Sequence, residues 1–303
     1  MWTNERQAIA WAFGWLLLVT AGFTLLRRPA GDARPRFRPG WPAILLIAGL
    51  ARLLPALWLP VGAGYDIESF RMATDALLSG REVYTAVLGR HPYLPFQMYL
   101  MGGMAFIARA TGLPFVVAIK LPSVAADVAL TGLIYHVVAG ASGRDRATWA
   151  ALLYALNPVS LLVTAYHGQF ESVTLLLLAL AWWLRERSRE GASAVALGLA
   201  ILNKTWPVVF LPVVFVRLRD WRSRAVYSSI ALGIPVLFSV AYLVLFSAGP
   251  MPMLRRALTH RGVAGYWGPG AALTPAALLW PGLQGVVDGL FALRNGLLLA
   301  AVL

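Results

Sequence analysis

Two short polar segments interrupt an otherwise apolar chain, and both carry side chains that can do chemistry. His167-Gly168-Gln169-Phe170-Glu171-Ser172 combines an imidazole, a carboxamide and a carboxylate, closely flanked by hydrophobic runs. Gly64-Tyr65-Asp66-Ile67-Glu68-Ser69-Phe70 places two carboxylates in the longest stretch between such runs. Ionisable groups at a bilayer boundary are costly and usually have a task. A carboxylate held there can act as a general base, and a second one beside a histidine can share a proton or orient a hydroxyl. Both segments point to chemistry at a membrane surface, not to a pore or a plain anchor.

Each candidate also has a plainer reading. Asp66 opens a stretch with Phe70, Ala73, Leu77 and Leu78 on one helical face, closed by Gly80. This predicts a short amphipathic helix in the interface, where Asp66 is either a general base or only a helix cap. Glu68 points elsewhere on such a helix, so one carboxylate of the pair reaches a reacting atom; Asp75 and Glu82 are expected to be solvated. His167, Gln169 and Glu171 could merely close a helical hairpin, but a segment selected for turning favours Gly, Asn, Ser and Pro. Arg90 and His91 sit where a lipid phosphate would lie, and equally read, with Tyr93 and Tyr99, as an interfacial anchor. Lys204, beside Trp206 and Pro207 in an apolar block, should meet an anion or a cavity, with phosphate the natural partner. Lys120 and Asp127 share one helical face and read as a buried polar network. In Thr259–Gly268, Arg261 beside His260 suits a phosphate and Trp267 suits the face of a sugar; an aromatic interface belt is the alternative.

The elements that must hold these residues are transmembrane helices. The chain has 303 residues, of which 59% are hydrophobic and 13% charged, against about 25% charged in soluble domains. Apolar blocks at roughly 8–26, 41–60, 93–110, 115–139, 147–165, 172–184, 192–216, 226–247 and 272–292 have bilayer-crossing length. The expectation is an all-α, polytopic helical bundle of about nine hydrophobic segments, forming a single transmembrane domain over 1–303. The first block ends in Arg27-Arg28 without a cleavage site and is expected to be retained. The apolar run at Leu297–Leu303 has no polar tail and is expected to mark a truncated sequence or an incomplete last span. There are no cysteines, and the four histidines lack metal-ligand spacing. No metal or cofactor is expected, although a divalent ion would be compatible with the chemistry.

The net charge of +13 comes from arginines in short loops, the positive-inside pattern, and does not imply nucleic acid. Arginines at 27–38, 144–146, 185–189 and 217–224 mark the cytoplasmic side. The loops at about 61–92 and 249–271, and the segment 167–171, are then external. The block 192–216 starts and ends inside, so Asn203-Lys204-Thr205-Trp206-Pro207 is predicted to break it into a hairpin with Lys204 near the outer tip. Residues 93–140 look like two helices where one crossing is needed, so one should be broken or re-entrant. The arginine-for-lysine bias suggests a GC-rich genome and hence a bacterial inner membrane.

The order of the motifs resembles the GT-C superfamily of membrane glycosyltransferases. It runs from an acidic first external loop to Pro92-Tyr93-Leu94-Pro95-Phe96-Gln97-Met98-Tyr99, then Asn157-Pro158 followed by His167-Gly168-Gln169-Phe170-Glu171-Ser172, then Lys204-Thr205-Trp206-Pro207. The His-Gly-Gln-Phe element is similar to that of dolichyl-phosphate-glucose glucosyltransferases. The layout resembles GPI mannosyltransferase I and bacterial polyprenyl-phosphate-mannose-dependent enzymes. The resemblance covers about residues 40–270. It implies inverting transfer of a hexose, mannose or glucose, from a polyprenyl- or dolichyl-phosphate donor to a glycan or glycolipid acceptor on the external face. It implies Asp66 as base, Glu171 or His167 as a second active-site group, and Lys204 or Arg261 as a lipid-phosphate contact. Several members carry two adjacent acids in that loop; Asp66-Ile67-Glu68 departs from this and leaves Asp66 and Glu68 as alternatives. A transporter or lipid flippase is the competing class, for which ionisable residues near the midplane and an internal repeat are expected.

Overall fold

The computed structural model of the protein describes residues 5–27, 39–59, 61–87, 89–259, 277, 280–290 and 293, and all regular structure among them is helical. In chain order the helices are α1 (Glu5–Arg27), α2 (Trp41–Trp58), α3 (Gly64–Leu78), α4 (Val83–Ala86), α5 (Pro95–Thr111), α6 (Phe115–Ser142) and α7 (Arg144–Ala155). There follow α8 (Pro158–Leu161), continued by a π-helical turn over Leu162–His167, then α9 (Glu171–Glu186) and α10 (Glu190–Asn203). A 3₁₀ turn (Trp206–Phe210) leads into α11 (Leu211–Arg217), α12 (Trp221–Leu245) and α13 (Pro250–Thr259).

Among the described residues four helices are long and apolar enough to cross a bilayer: α1, α2, α6 and α12. A fifth span forms if Arg144–Ala155 and Pro158–His167, bent by 40°, are taken together. Of the nine expected segments, those at 93–110, 172–184 and 192–216 are shorter helices, and in 272–292 the described residues are 277 and 280–290, helical over 281–290. The bend has a local cause. Pro158 disfavours helical backbone at Asn157, whose ψ is 115°, and the Asn157 side chain then caps the next turn by accepting from the Val159 and Ser160 N–H groups.

The ambiguity over 93–140 resolves in favour of α6 as the crossing helix. Gly112, at φ 72°, ends α5, and Pro114 starts α6. The first residue of α6, Phe115, lies under the Arg71 guanidinium of α3 at 5.9 Å. Further along α5, Gly102 packs on Leu77 of α3. Helix α5 therefore runs alongside α3 and returns the chain to the level it left. The C-terminal end of α12 meets the same layer: Tyr242 donates to Glu82 Oε1 and accepts from the Val83 N–H, both at 2.8 Å. Glu82, expected to be solvated, is thus a clasp between the α3–α4 loop and α12. It also caps α4 by accepting from Tyr84 and Thr85.

Two buried polar networks fix the interior. Arg52 of α2 and Asp127 of α6 pair at 2.6 Å, and both are fully buried. Asp127 also accepts from Tyr154, Ser160 and Thr164, and Arg52 donates to the carbonyls of Ala155 and Tyr154. This ties α2 and α6 to the broken end of α7 and to the π turn. Lys120 does not share that network, although the sequence expectation joined it to Asp127. Its ammonium donates to the carbonyls of Leu59 and Val61 at 3.0 and 2.7 Å, fastening the strap that leads from α2 to α3.

Candidate active site

The two polar segments meet. The strap before α3 runs against the end of the π turn, where the Ala63 N–H donates to the His167 carbonyl at 3.1 Å. Gly62 permits this approach, since a Cβ there would stand 2.9 Å from that carbonyl oxygen and 2.8 Å from Ile67. Gly168, at φ 86°, turns the chain from the π turn into α9 with Ile67 and Lys120 packed against it. The turn is held from several sides: Ser123 donates to the Gln169 carbonyl, and Asn203 to the Phe170 carbonyl and Thr174 Oγ1. Phe170 itself is buried edge-on against Phe70 of α3, at 5.6 Å between ring centres.

These contacts place Asp66 and Gln169 side by side. Gln169 Nε2 donates to Asp66 Oδ2 at 2.7 Å, and His167 Nδ1 lies 3.8 Å from the same oxygen. Asp66 is in the first turn of α3, but Ala63 is the cap residue and has no side-chain capping bond. The cap reading of Asp66 therefore has no support in the geometry. The Asp66 and His167 side chains are 31% and 36% exposed, so the carboxylate is fixed yet open to a ligand.

Glu171 begins α9 and forms an ion pair with Lys204. Lys204 ends α10 in extended backbone (φ −144°, ψ 139°), and the 3₁₀ turn with Pro207 follows. The helix break predicted at this position is present, and it delivers the lysine to the Glu171 carboxylate. The Lys204 ammonium also stands 5.1 Å from the Tyr93 ring centre. Burial pushes the Tyr93 hydroxyl well above its ordinary pKa, and the charges of Glu171 and Asp66 push it further. It remains a protonated donor in the field of both acids.

Asp66, His167, Gln169, Glu171 and Lys204 therefore come together, with Tyr93 beside them. Glu68 is exposed on another face of α3. Arg90 stacks 4.4 Å over the Tyr65 ring, one residue from Asp66, and its Nη1 contacts Met72 Sδ. His91 is buried between Tyr84 and Tyr93 and is not presented to a lipid surface. His260, Arg261 and Trp267 lie outside the described residues. Sequence reasoning did not single out Arg52, Asn203, Tyr242 or Arg256. Arg52 and Asn203 carried a signal, a polar side chain inside an apolar block. Arg256 did not; its guanidinium lies on Gly89, next to Arg90, only through the packing of α13.

Fold and site together define a helical membrane protein in which carboxylate, amide and ammonium side chains from distant helices are clustered. The chain belongs to glycosyltransferase family 87, whose family model matches residues 96–300. It is a membrane glycosyltransferase. The match contains His167, Gln169, Glu171 and Lys204, while Asp66 and α3 lie before it. No solved structure matches the chain.

Proposed function

We propose that the protein transfers a hexose, mannose or glucose, from a polyprenyl- or dolichyl-phosphate donor to a lipid- or envelope-linked glycan on the external face of a bacterial inner membrane. Asp66 is the base. Its Oδ2 is held by Gln169, and Oδ1 takes no partner among the described residues, so it is free for an acceptor hydroxyl. As that hydroxyl attacks the anomeric carbon, its proton passes to Asp66. The new carbon–oxygen bond forms opposite the breaking bond to phosphate, the anomeric configuration inverts, and the lipid phosphate leaves. Lys204 supplies the positive charge that the departing phosphate needs, with Arg90 nearer the rim. Arg261, His260 and Trp267 remain proposed contacts for the phosphate and the sugar. Glu68 is the alternative base, and its exposure away from Gln169 makes it the weaker one.

The observation that carries this reading is the hydrogen bond from Gln169 to Asp66 beside the Glu171–Lys204 pair. It joins two polar segments about a hundred residues apart and brings the proposed base near the proposed cation. The short apolar helices support the accompanying topology. Arg185, at the end of α9, donates to the Arg217 carbonyl at the end of α11, while Asn203, at the end of α10, reaches the start of α9. Helices α9 and α10, and the 3₁₀ turn with α11, thus each lead between the site and the ends at Arg185 and Arg217, which fits the hairpin expected over 192–216. Arg52 and Asp127 offer a transporter little, because their polar atoms are occupied by each other and by neighbouring helices.

Sugar transfer in membranes tests the reading, with labelled polyprenyl-phosphate mannose and the glucose form supplied separately. Asp66→Asn should lower transfer by roughly 10²–10⁴-fold with expression and membrane insertion unchanged. Transfer that survives the substitution removes Asp66 as base and turns attention to Glu68.

A further inference from the structure

The Lys204–Glu171 ion pair is lopsided. The Lys204 side chain is 10% exposed and that of Glu171 is 42%. Lys204 is anchored at a helix break beside Asn203, whose amide is tied to α9, and the Tyr93 ring covers it. An ammonium has three hydrogens to donate, and Glu171 is the one acceptor that Lys204 meets among the described residues. A buried charge cannot be left uncompensated without a large penalty. A carboxylate nearly half in water can rotate away at little cost. An anion can therefore take the place of Glu171, whereas no cation can take the place of Lys204.

Taking the reading above, in which the site accepts a lipid-phosphate sugar, we propose that Glu171 is a stand-in anion. It neutralises Lys204 until the phosphate of the lipid ligand displaces it, and it competes for Lys204 again when the lipid phosphate must leave. The exchange keeps the lysine paired throughout, so no bare buried charge arises during binding or release. Glu171 is then a positioning residue that sets affinity and release, and it takes no proton from the acceptor. The two roles predict opposite signs. Losing a base lowers the rate of transfer and leaves binding unchanged or weaker. Losing a competing anion tightens the binding of the phosphate.

The test is the affinity of the full chain, in nanodiscs of neutral lipid, for geranylgeranyl phosphate, with geranylgeraniol as the uncharged control. Glu171→Gln should bind the phosphate about fivefold more tightly, the size expected from removing a partly exposed ion-pair partner. Glu171→Ala should agree in direction. In transfer assays KM and kcat should both fall, because product leaves more slowly. Lys204→Met should weaken phosphate binding and erase the effect of a second substitution at Glu171. Unchanged or weaker binding in both Glu171 variants, with wild type still preferring the phosphate to the alcohol, overturns the stand-in role and spares the enzymatic reading. Wild type that binds alcohol and phosphate alike overturns the lipid-phosphate reading and this inference together.

Discussion

Burial pushes the His91 imidazole from an ordinary pKa of 6.5 down to about 3, because the ring is enclosed with Tyr84 and Tyr93. The folded protein therefore holds it neutral across the physiological range. Below pH 6.5 the unfolded chain takes up a proton at this position and the folded chain does not, so stability falls with pH until the folded value is reached. Between pH 6.5 and 5 the loss should approach about 1.4 kcal/mol per unit. Melting temperatures in detergent check this: the slope should flatten in His91→Leu. Glu82 works in the opposite electrostatic setting. Burial opposes its ionisation, but hydrogen bonds from the Thr85 hydroxyl, Tyr242 and the N–H groups of Thr85 and Tyr84 outweigh burial and hold its carboxyl below the ordinary 4.5. The clasp to α12 thus depends on a charged Glu82 and loosens only in acid.

At the scale of elements, the site depends on one irregular joint. The π turn ends at His167, and both the Gly168 and Gln169 N–H groups converge on the Val163 carbonyl, which swings the chain into α9. π turns are costly insertions that recur at functional sites. Here the turn aims Gln169 at α3 while Glu171 faces Lys204. Gly168→Ala should be destabilising by about 1–2 kcal/mol, because a side chain is strained at φ 86°. A Cβ there would also stand 3.2 Å from Ile67, which is on the same turn of α3 as Asp66. A shift of that turn should cost on the order of tenfold or more in transfer. A melting curve and a transfer assay on the same preparation separate the two effects: a variant that melts lower but transfers at the wild-type rate would free Asp66 from this joint.

At the scale of the whole molecule, the Arg52–Asp127 pair is the hub that joins α2, α6, α7 and α8 at the inner foot of the site. Asp127 reaches the π turn through Thr164, which also shares a hydrogen bond with Ser172 in the first turn of α9. Removing one partner leaves a buried charge without compensation, so Arg52→Met or Asp127→Leu should each destabilise by about 3–5 kcal/mol. The double variant Arg52→Met/Asp127→Leu should recover part of that loss, since a well-packed apolar pair can replace a buried ion pair. Thermal unfolding of the three variants checks the non-additivity; equal losses that simply add would mean that the two residues are not coupled.

Much of the architecture was legible because membrane insertion writes itself into composition and charge order. Apolar lengths announced an all-helical membrane chain, and Asn203-Lys204-Thr205-Trp206-Pro207 announced its break through proline chemistry. Asp66, His167, Gln169, Glu171 and Lys204 stood out because polar side chains beside apolar runs are expensive. Their partners were not legible. Whether Asp66 caps a helix or faces Gln169, whether Glu82 is in water or under Tyr242, and whether Lys120 joins Asp127 or fastens the strap to α3 all depend on which helix faces pack. A hydrophobic helix offers nearly the same apolar surface all round, so its sequence carries little information about its rotation. Close approaches through Gly62, Gly102 and Gly168, together with the Arg52–Asp127 pair, select that rotation in the folded chain. The lipid-facing lengths are set locally by hydropathy, while the site exists only where helices distant in sequence have turned their few polar side chains toward one another.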